Sequence, residues 1–258
     1  MKTITKSSEL SDFCDRAVNE KYITIDTEFL RERTYFSKLC LIQLALPGDE
    51  NENAVLVDTL VNDLDLSPLY DIFQNQNIVK VFHAARQDLE IFYLDSGIFP
   101  YPIFDTQIAA MVCGFGDQVA YETLVRQLAK QTLDKSSRFT DWSSRPLTVA
   151  QKQYALADVT HLRIIYEILS ERLIETGRLE WVNEELETLI SPESTDRIDI
   201  HYEATIGYYL PSGHVDGTPL DSAYYDFGWV PFLWAVEFHE GVIYASCIST
   251  GLYILQLD

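Results

Sequence analysis

The sequence of 258 residues carries 40 acidic against 19 basic side chains, a formal net charge of -21 at pH 7. With 47% hydrophobic and 23% charged residues, it has the composition of a folded protein with one large domain, or one domain plus a small addition. Its apolar runs fall far short of a membrane span, and its charge repels polyanions unless a local basic patch or metal ions intervene.

The N-terminal stretch MKTITKSSELSDFC has no apolar segment of the signal-peptide kind. Cys14, Cys40, Cys113 and Cys247 are far apart in sequence and form no metal-binding spacing, which suits free thiols in a reducing compartment. A cytoplasmic location is expected. SELSDFCDRAVNE predicts a helix capped by Ser8 or Ser11, with Phe13, Ala17 and Val18 at helical spacing. KYITIDTEF and SKLCLIQLAL predict strands, NAVLVDTL a short third strand, and DLSPLYDIFQNQ a helix. IVKVFHA is a fourth strand that runs into the helix ARQDLEIFYLDSG. PIFDTQIAAMVCGF starts extended and turns helical, with Asp105 placed to cap the turn. AYETLVRQLAK and PLTVAQKQYALADVTHLRIIYEILSERLIETG follow as amphipathic helices, the second opened by a capping box of Thr148 and Gln151. Strands first, then helices interspersed and finally dominant, predict an α/β layered domain over residues 1–190.

Composition changes beyond that point. Residues 191–258 hold one basic side chain, Arg197, against ten acidic ones, and the helical period disappears. FLWAVEFHEGVIYASCISTGLYILQLD predicts three short strands with turns at HEG and STG. This β-rich tail resembles part of a β-propeller blade; a single blade cannot close a ring. It reads as a poorly ordered appendage, an edge that pairs with another chain, or a non-native junction.

Asp26 and Glu28 interrupt an apolar strand two positions apart. Residues i and i+2 of a strand share a face, so Thr24, Asp26 and Glu28 point one way while Ile23, Ile25, Thr27 and Phe29 point the other. Two carboxylates held together raise each other's pKa unless a cation lies between them, and oxygen ligands suit magnesium or manganese. That stretch alone is equally consistent with two solvated acids at a strand end. Asp88, early in the helix after IVKVFH, and Tyr154 with Asp158, four apart on one helix face, add to the count. Four carboxylates, Asp26, Glu28, Asp88 and Asp158, could hold two divalent ions for phosphoryl transfer, with Tyr154 beside the attacking water.

IDTEF, HAARQDLEIF and YALADVTHL, in that order, resemble the three exonuclease motifs of the ribonuclease D family, tyrosine subclass. TDWSSRPLTVAQKQYALADVTHL and DTEFLRERTYFSKLCLIQL extend the likeness over about residues 1–190. The resemblance implies a ribonuclease-H-like exonuclease fold, a mixed sheet flanked by helices. It implies two Mg²⁺ or Mn²⁺ ions and hydrolysis of RNA from the 3' end to 5'-mononucleotides, on substrates such as tRNA precursors. It carries metal binding to Asp26, Glu28, Asp88 and Asp158 and water positioning to Tyr154. Positions such as Thr27 and Phe29 wedge against the terminal base in this family. The helical domains that usually follow in ribonuclease D have no counterpart here. A DNA 3'-5' exonuclease, or an RNA-binding protein with a relic site, remain the alternatives, and no membrane partner is expected.

Arg31, Arg33, Arg86, Lys135, Arg138, Arg145 and Lys152 are the cations available for phosphates. In KSSRFTDWSSR they interleave with Phe139 and Trp142, the composition of a single-strand binding surface. Gln43, inside the apolar strand CLIQLAL, is expected to bond neighbouring backbone, His83 to be packed or hydrogen-bonded, Glu90 and Asp95 to be solvated helix-face charges, and Glu122 and His161 to be structural.

Overall fold

The computed structural model describes residues 1–30, 37–48, 50–133 and 140–190, and the backbone of 233–239, 242–247 and 251–256. Two compact units are present, residues 1–199 and 200–258. In the second, β7 (Leu233–His239), β8 (Val242–Cys247) and β9 (Gly251–Gln256) form an antiparallel meander. These are the three strands expected there. The position of the junction lies outside the described residues.

The first unit is built on a six-stranded mixed sheet in the order β1-β4-β3-β2-β5-β6. Its strands are β1 (Lys2–Ile4), β2 (Tyr22–Leu30), β3 (Lys38–Ala45), β4 (Ala54–Val57), β5 (Val79–Phe82) and β6 (Ile103–Asp105). β3 is antiparallel to both its neighbours, whereas β2, β5 and β6 run parallel. The parallel strands β5 and β6 are joined by a helical crossover over residues 86–96. Helices α1 (Ser7–Ala17), α2 (Ser67–Gln74), α3 (Arg86–Ser96), α4 (Thr106–Val112), α5 (Tyr121–Leu124), α6 (Val149–Thr176) and α7 (Leu179–Leu189) flank the sheet. The expected mixed sheet flanked by helices is therefore present.

Local chemistry accounts for both ends of α6. α6 starts at the anticipated capping box: Thr148 accepts from the Gln151 N–H at 3.2 Å, and the Gln151 side chain accepts from the Thr148 N–H at 2.9 Å. It stops at Gly177, whose φ of 65° suits a residue without a Cβ. α1 differs from expectation. It begins at Ser7 with Lys6 in the cap position and no side-chain cap, so neither Ser8 nor Ser11 performs that role. β1, three residues long, and α7 have no counterpart among the elements read from sequence. β1 carries too few residues to show an alternation, and it is recruited by parallel pairing with β4.

Ile23 and Ile25 of β2 enter the main core with Phe13, Phe73 and Phe92 from α1, α2 and α3. The even-numbered face of β2 lies under α6, which runs antiparallel to it. Tyr22 donates to Glu167 Oε1 at 2.6 Å, and Thr24 donates to the Val159 carbonyl at 2.9 Å. Ala45 and Ala54 pack against Val159, so small side chains separate sheet and helix.

Candidate metal centre

β2 pairs with β5 only as far as Thr24, opposite Val81. Beyond that point it overruns the carboxyl end of its parallel neighbour, and Asp26 and Glu28 stand at the crevice thus opened. Such a crevice beyond the carboxyl ends of parallel strands is where α/β sheets place ligands. The ladder between β2 and β3 slips between Glu28 and Phe29, leaving Cys40 as the extra residue of a bulge. A bulge bends the strand just past the two acids.

α6 supplies the third acid. Oxygens of Asp26, Glu28 and Asp158 lie within 4.8 Å of one another. An all-carboxylate set of this size fits a hard divalent cation such as Mg²⁺ or Mn²⁺, with Asp26, Glu28 and Asp158 as the holders. The electrostatics agree. Burial, and next the Asp158 charge, hold the Asp26 carboxyl well above its ordinary range, against a hydrogen bond from the Thr27 N–H. Glu28 is pushed up to about 10, first by burial and then by Asp26, Asp158 and Asp88. A cation among them would offset both the burial of these charges and their mutual repulsion.

Asp88, the fourth expected ligand, is buried on the first turn of α3 and stands beside the three-acid cluster rather than within it. Burial and Asp26 raise its pKa. Its Oδ1 accepts from the Thr27 hydroxyl. Asp105 sets where α3 begins. It accepts from the Ala84 and Ala85 N–H groups at 3.0 and 2.8 Å, and caps α4 through the Gln107 N–H at 2.7 Å. The expected cap is present, together with a second role that fixes the turn leading to Asp88. Ala84 in that turn has a positive φ of 55°, a strained value for a residue with a Cβ.

Tyr154 lies one helical turn before Asp158, as its spacing predicts, and both border a cavity of about 210 Å³ with Asp26, His83, Tyr121 and Leu162. Tyr121 is a member that the sequence reading missed. Its hydroxyl donates to the Asp158 carbonyl, so α5 steadies the α6 turn that carries the acid. His83 is packed as expected: Nδ1 bonds Thr106 Oγ1 at 3.0 Å, and its ring meets Tyr121 at 5.2 Å. Burial pulls its pKa down, opposed by Asp105.

Two of the residues read as substrate contacts are otherwise engaged. Arg145 spends its guanidinium inside the fold, on Asp58 Oδ2 and Oδ1 at 2.7 Å each and on the carbonyls of Cys40, Trp142 and Ser144. All five of its N–H groups are used, which leaves no fork for a phosphate. Thr27 is buried and turned to Asp88, so it cannot wedge against a base. Trp142, read as a stacking surface, is 4% exposed and packs with Leu41, Leu56 and Leu147. Phe29 is half-buried at the end of β2, and Arg86 is exposed at the start of α3. Arg31, Arg33, Lys135, Arg138 and Phe139 lie outside the described residues.

Gln43 is buried in β3 directly opposite Asp26. Neither its Oε1 nor its Nε2 has a hydrogen-bond partner, in contrast to the backbone bond expected of it. Among the described residues no helix is long and apolar enough to cross a membrane.

A sheet-and-helix crevice lined by converging carboxylates defines an α/β protein with an acidic cluster of the kind that fits a divalent cation. The family model for 3'-5' exonucleases matches residues 1–174. The chain is 62% identical over 192 residues to ribonuclease D of Jannaschia sp. (strain CCS1), covering 74% of this chain and 50% of that protein. Ribonuclease D of Granulibacter bethesdensis is 54% identical over 196 residues, covering 76% and 48% respectively. The crystal structure of Escherichia coli RNase D, described as an exoribonuclease involved in structured RNA processing, gives a TM-score of 0.68 at 37% identity. That match covers 73% of this chain and 49% of that one. The chain belongs to the 3'-5' exonuclease family. It spans about half the length of the curated ribonuclease D relatives it matches.

Proposed function

We propose that this chain is a metal-dependent 3'-5' exoribonuclease of the ribonuclease D type. It would act on RNA 3' ends such as those of tRNA precursors, release 5'-mononucleotides and use two Mg²⁺ or Mn²⁺ ions. The observation that carries this reading is the convergence of Asp26, Glu28 and Asp158 within 4.8 Å, on a chain whose family is that of 3'-5' exonucleases.

Bound divalent ions would supply an acidified water as nucleophile and neutralise charge at the scissile phosphate. The chain's own groups do the rest. Asp26, Glu28 and Asp158 hold the ions, and Asp88, oriented by Thr27, completes the carboxylate set from the α3 side. Tyr154 borders the same cavity as Asp26 and Asp158, where its hydroxyl can orient the attacking water. With a net charge of -21, the fold offers a phosphate little attraction of its own at long range. The ions therefore serve substrate binding as well as chemistry. Arg31, Arg33, Arg138 and Phe29 are the remaining candidates for gripping the strand.

The test is hydrolysis of a 3'-tailed tRNA by the full chain with Mg²⁺ or Mn²⁺, with and without EDTA. 5'-Mononucleotide release that chelation abolishes is expected, and that Asp26→Asn or Asp158→Asn abolishes without loss of folding. Full activity in either variant overturns the mechanism. Labelled RNA and DNA strands of one sequence, run in parallel, decide the sugar preference.

A further inference from the structure

β3 is an apolar strand with one amide in it. Leu41, Ile42, Leu44 and Ala45 are fully buried, and so is Gln43 between them, with both polar atoms of its side chain unpartnered. An apolar residue would fill that position without leaving an amide unsatisfied. Across the sheet, Gln43 faces Leu56 of β4 on one side and Asp26 of β2 on the other. Directly paired residues share a face with Cβ atoms roughly 5 Å apart, well within reach of a glutamine side chain. The next polar group along β2, the Thr24 hydroxyl, is already committed to the carbonyls of Val159 and Ala45. Asp26 is thus the polar neighbour that Gln43 can serve.

We infer that Gln43 is a positioning residue for the metal centre, its Nε2 donating to the Asp26 carboxylate when Asp26 is ionised around a divalent cation. A ligating carboxylate needs an outer partner to hold its orientation and keep it charged. Asp26 has a backbone N–H from Thr27 on one side, and Gln43 supplies the donor from within the sheet. The inference rests on the reading of Asp26, Glu28 and Asp158 as an ion site.

The experiment is calorimetric titration of the full chain with Mn²⁺, comparing the parent with Gln43→Leu, Gln43→Met and Asp26→Asn, together with the metal-free Tm of each. Both Gln43 variants are expected to fold, with a metal-free Tm equal to or above the parent's. Their tightest Mn²⁺ binding is expected to weaken about 10- to 100-fold. kcat for an oligonucleotide should fall while KM changes little. Affinity within about twofold of the parent in a folded variant overturns the inference. So does loss of the metal-free fold in both variants, which would make Gln43 purely structural. If Asp26→Asn retains the parent's affinity, the ion-site reading fails as well. If Asp26→Asn loses binding while the Gln43 variants keep it, the site stands and only the role of Gln43 falls.

Discussion

Arg145 and Asp58, 87 residues apart in sequence, are joined by two hydrogen bonds of 2.7 Å each in a fork-to-fork pair. The same guanidinium takes the Cys40 carbonyl beside the bulge in β3. The segment leading into α6 is thereby tied to β3, the neighbour of the acid-bearing β2, and to the residue that follows β4. With side-chain exposures of 25% and 10%, the pair is worth less than a fully buried one, and its loss leaves Asp58 without a cation, with the Leu60 N–H still donating to it at 3.2 Å. Arg145→Ala should cost about 2–3 kcal/mol, a fall in Tm of about 4–12 °C. Arg145→Lys should not restore it, because an ammonium cannot make the fork. The salt dependence of RNA binding should stay that of the parent; a shallower slope would return Arg145 to phosphate binding.

Asp105 gathers three backbone N–H groups from two successive segments. Asp105→Ala strands all three and should destabilise the protein by about 2–4 kcal/mol. Asp105→Asn keeps one acceptor oxygen and should fall between. Since the Ala84 and Ala85 turn leads straight into the helix bearing Asp88, hydrolysis should drop in both variants even at temperatures where they are folded. Thermal melts and single-turnover rates check this, and full activity in a destabilised Asp105→Ala would detach the turn from the site.

Thr27 gives its hydroxyl to Asp88. Thr27→Val keeps the shape and removes the donor, leaving a buried carboxylate without that partner. A fall in kcat of about 10-fold is expected, the scale of an outer-shell loss. Thr27→Ser should recover most of it. Equal rates in the valine and serine variants would show that packing, not the hydroxyl, matters at this position.

Glu28 titrates near 4.5 when unfolded and is pushed up to about 10 in the metal-free fold. Between those values the folded protein keeps a proton that the unfolded chain has lost, so stability falls as pH rises through that window. Metal-free Glu28→Gln has no such charge. Its Tm should match the parent's near pH 4.5 and exceed it at pH 8, at about 2–4 °C for each kcal/mol relieved. Mg²⁺ should raise the parent's Tm at pH 8 more than the variant's. Parallel pH profiles for the two proteins would remove the upward shift that burial, and after it the neighbouring acids, give this group.

The acids were legible because local periodicity displays them: i and i+2 in β2, i and i+4 in α6, and the first turn of α3 after an apolar strand. The capping box of α6 and the cap at Asp105 were legible for the same reason. Tyr121, the Thr27–Asp88 bond and the Arg145–Asp58 pair were not, since each joins segments far apart in the chain, 61 residues in the second case. Arg145 and Trp142 illustrate the ambiguity of composition. A cation beside an aromatic looks the same whether it greets a nucleotide or closes a fold, and only the carbonyls and carboxylate around Arg145 distinguish the two. Gln43 stood out as a polar residue in an apolar strand, but its lack of partners depends on which strand lies opposite.

The oxygens of the acid cluster come from two layers, Asp26 and Glu28 from the sheet and Asp158 from the helix above. Ala45, Ala54 and Val159 fill the space between those layers. The spacing of the acid cluster is therefore set by methyl groups that do not belong to it. Enlarging Ala45 to valine would wedge the jaws apart without altering any charge, and a misplacement of roughly 1 Å can cost about 100-fold in rate. The tolerances of the proposed catalysis are in this sense written into the buried part of the sheet face that also carries the acids, among the plainest side chains in the molecule.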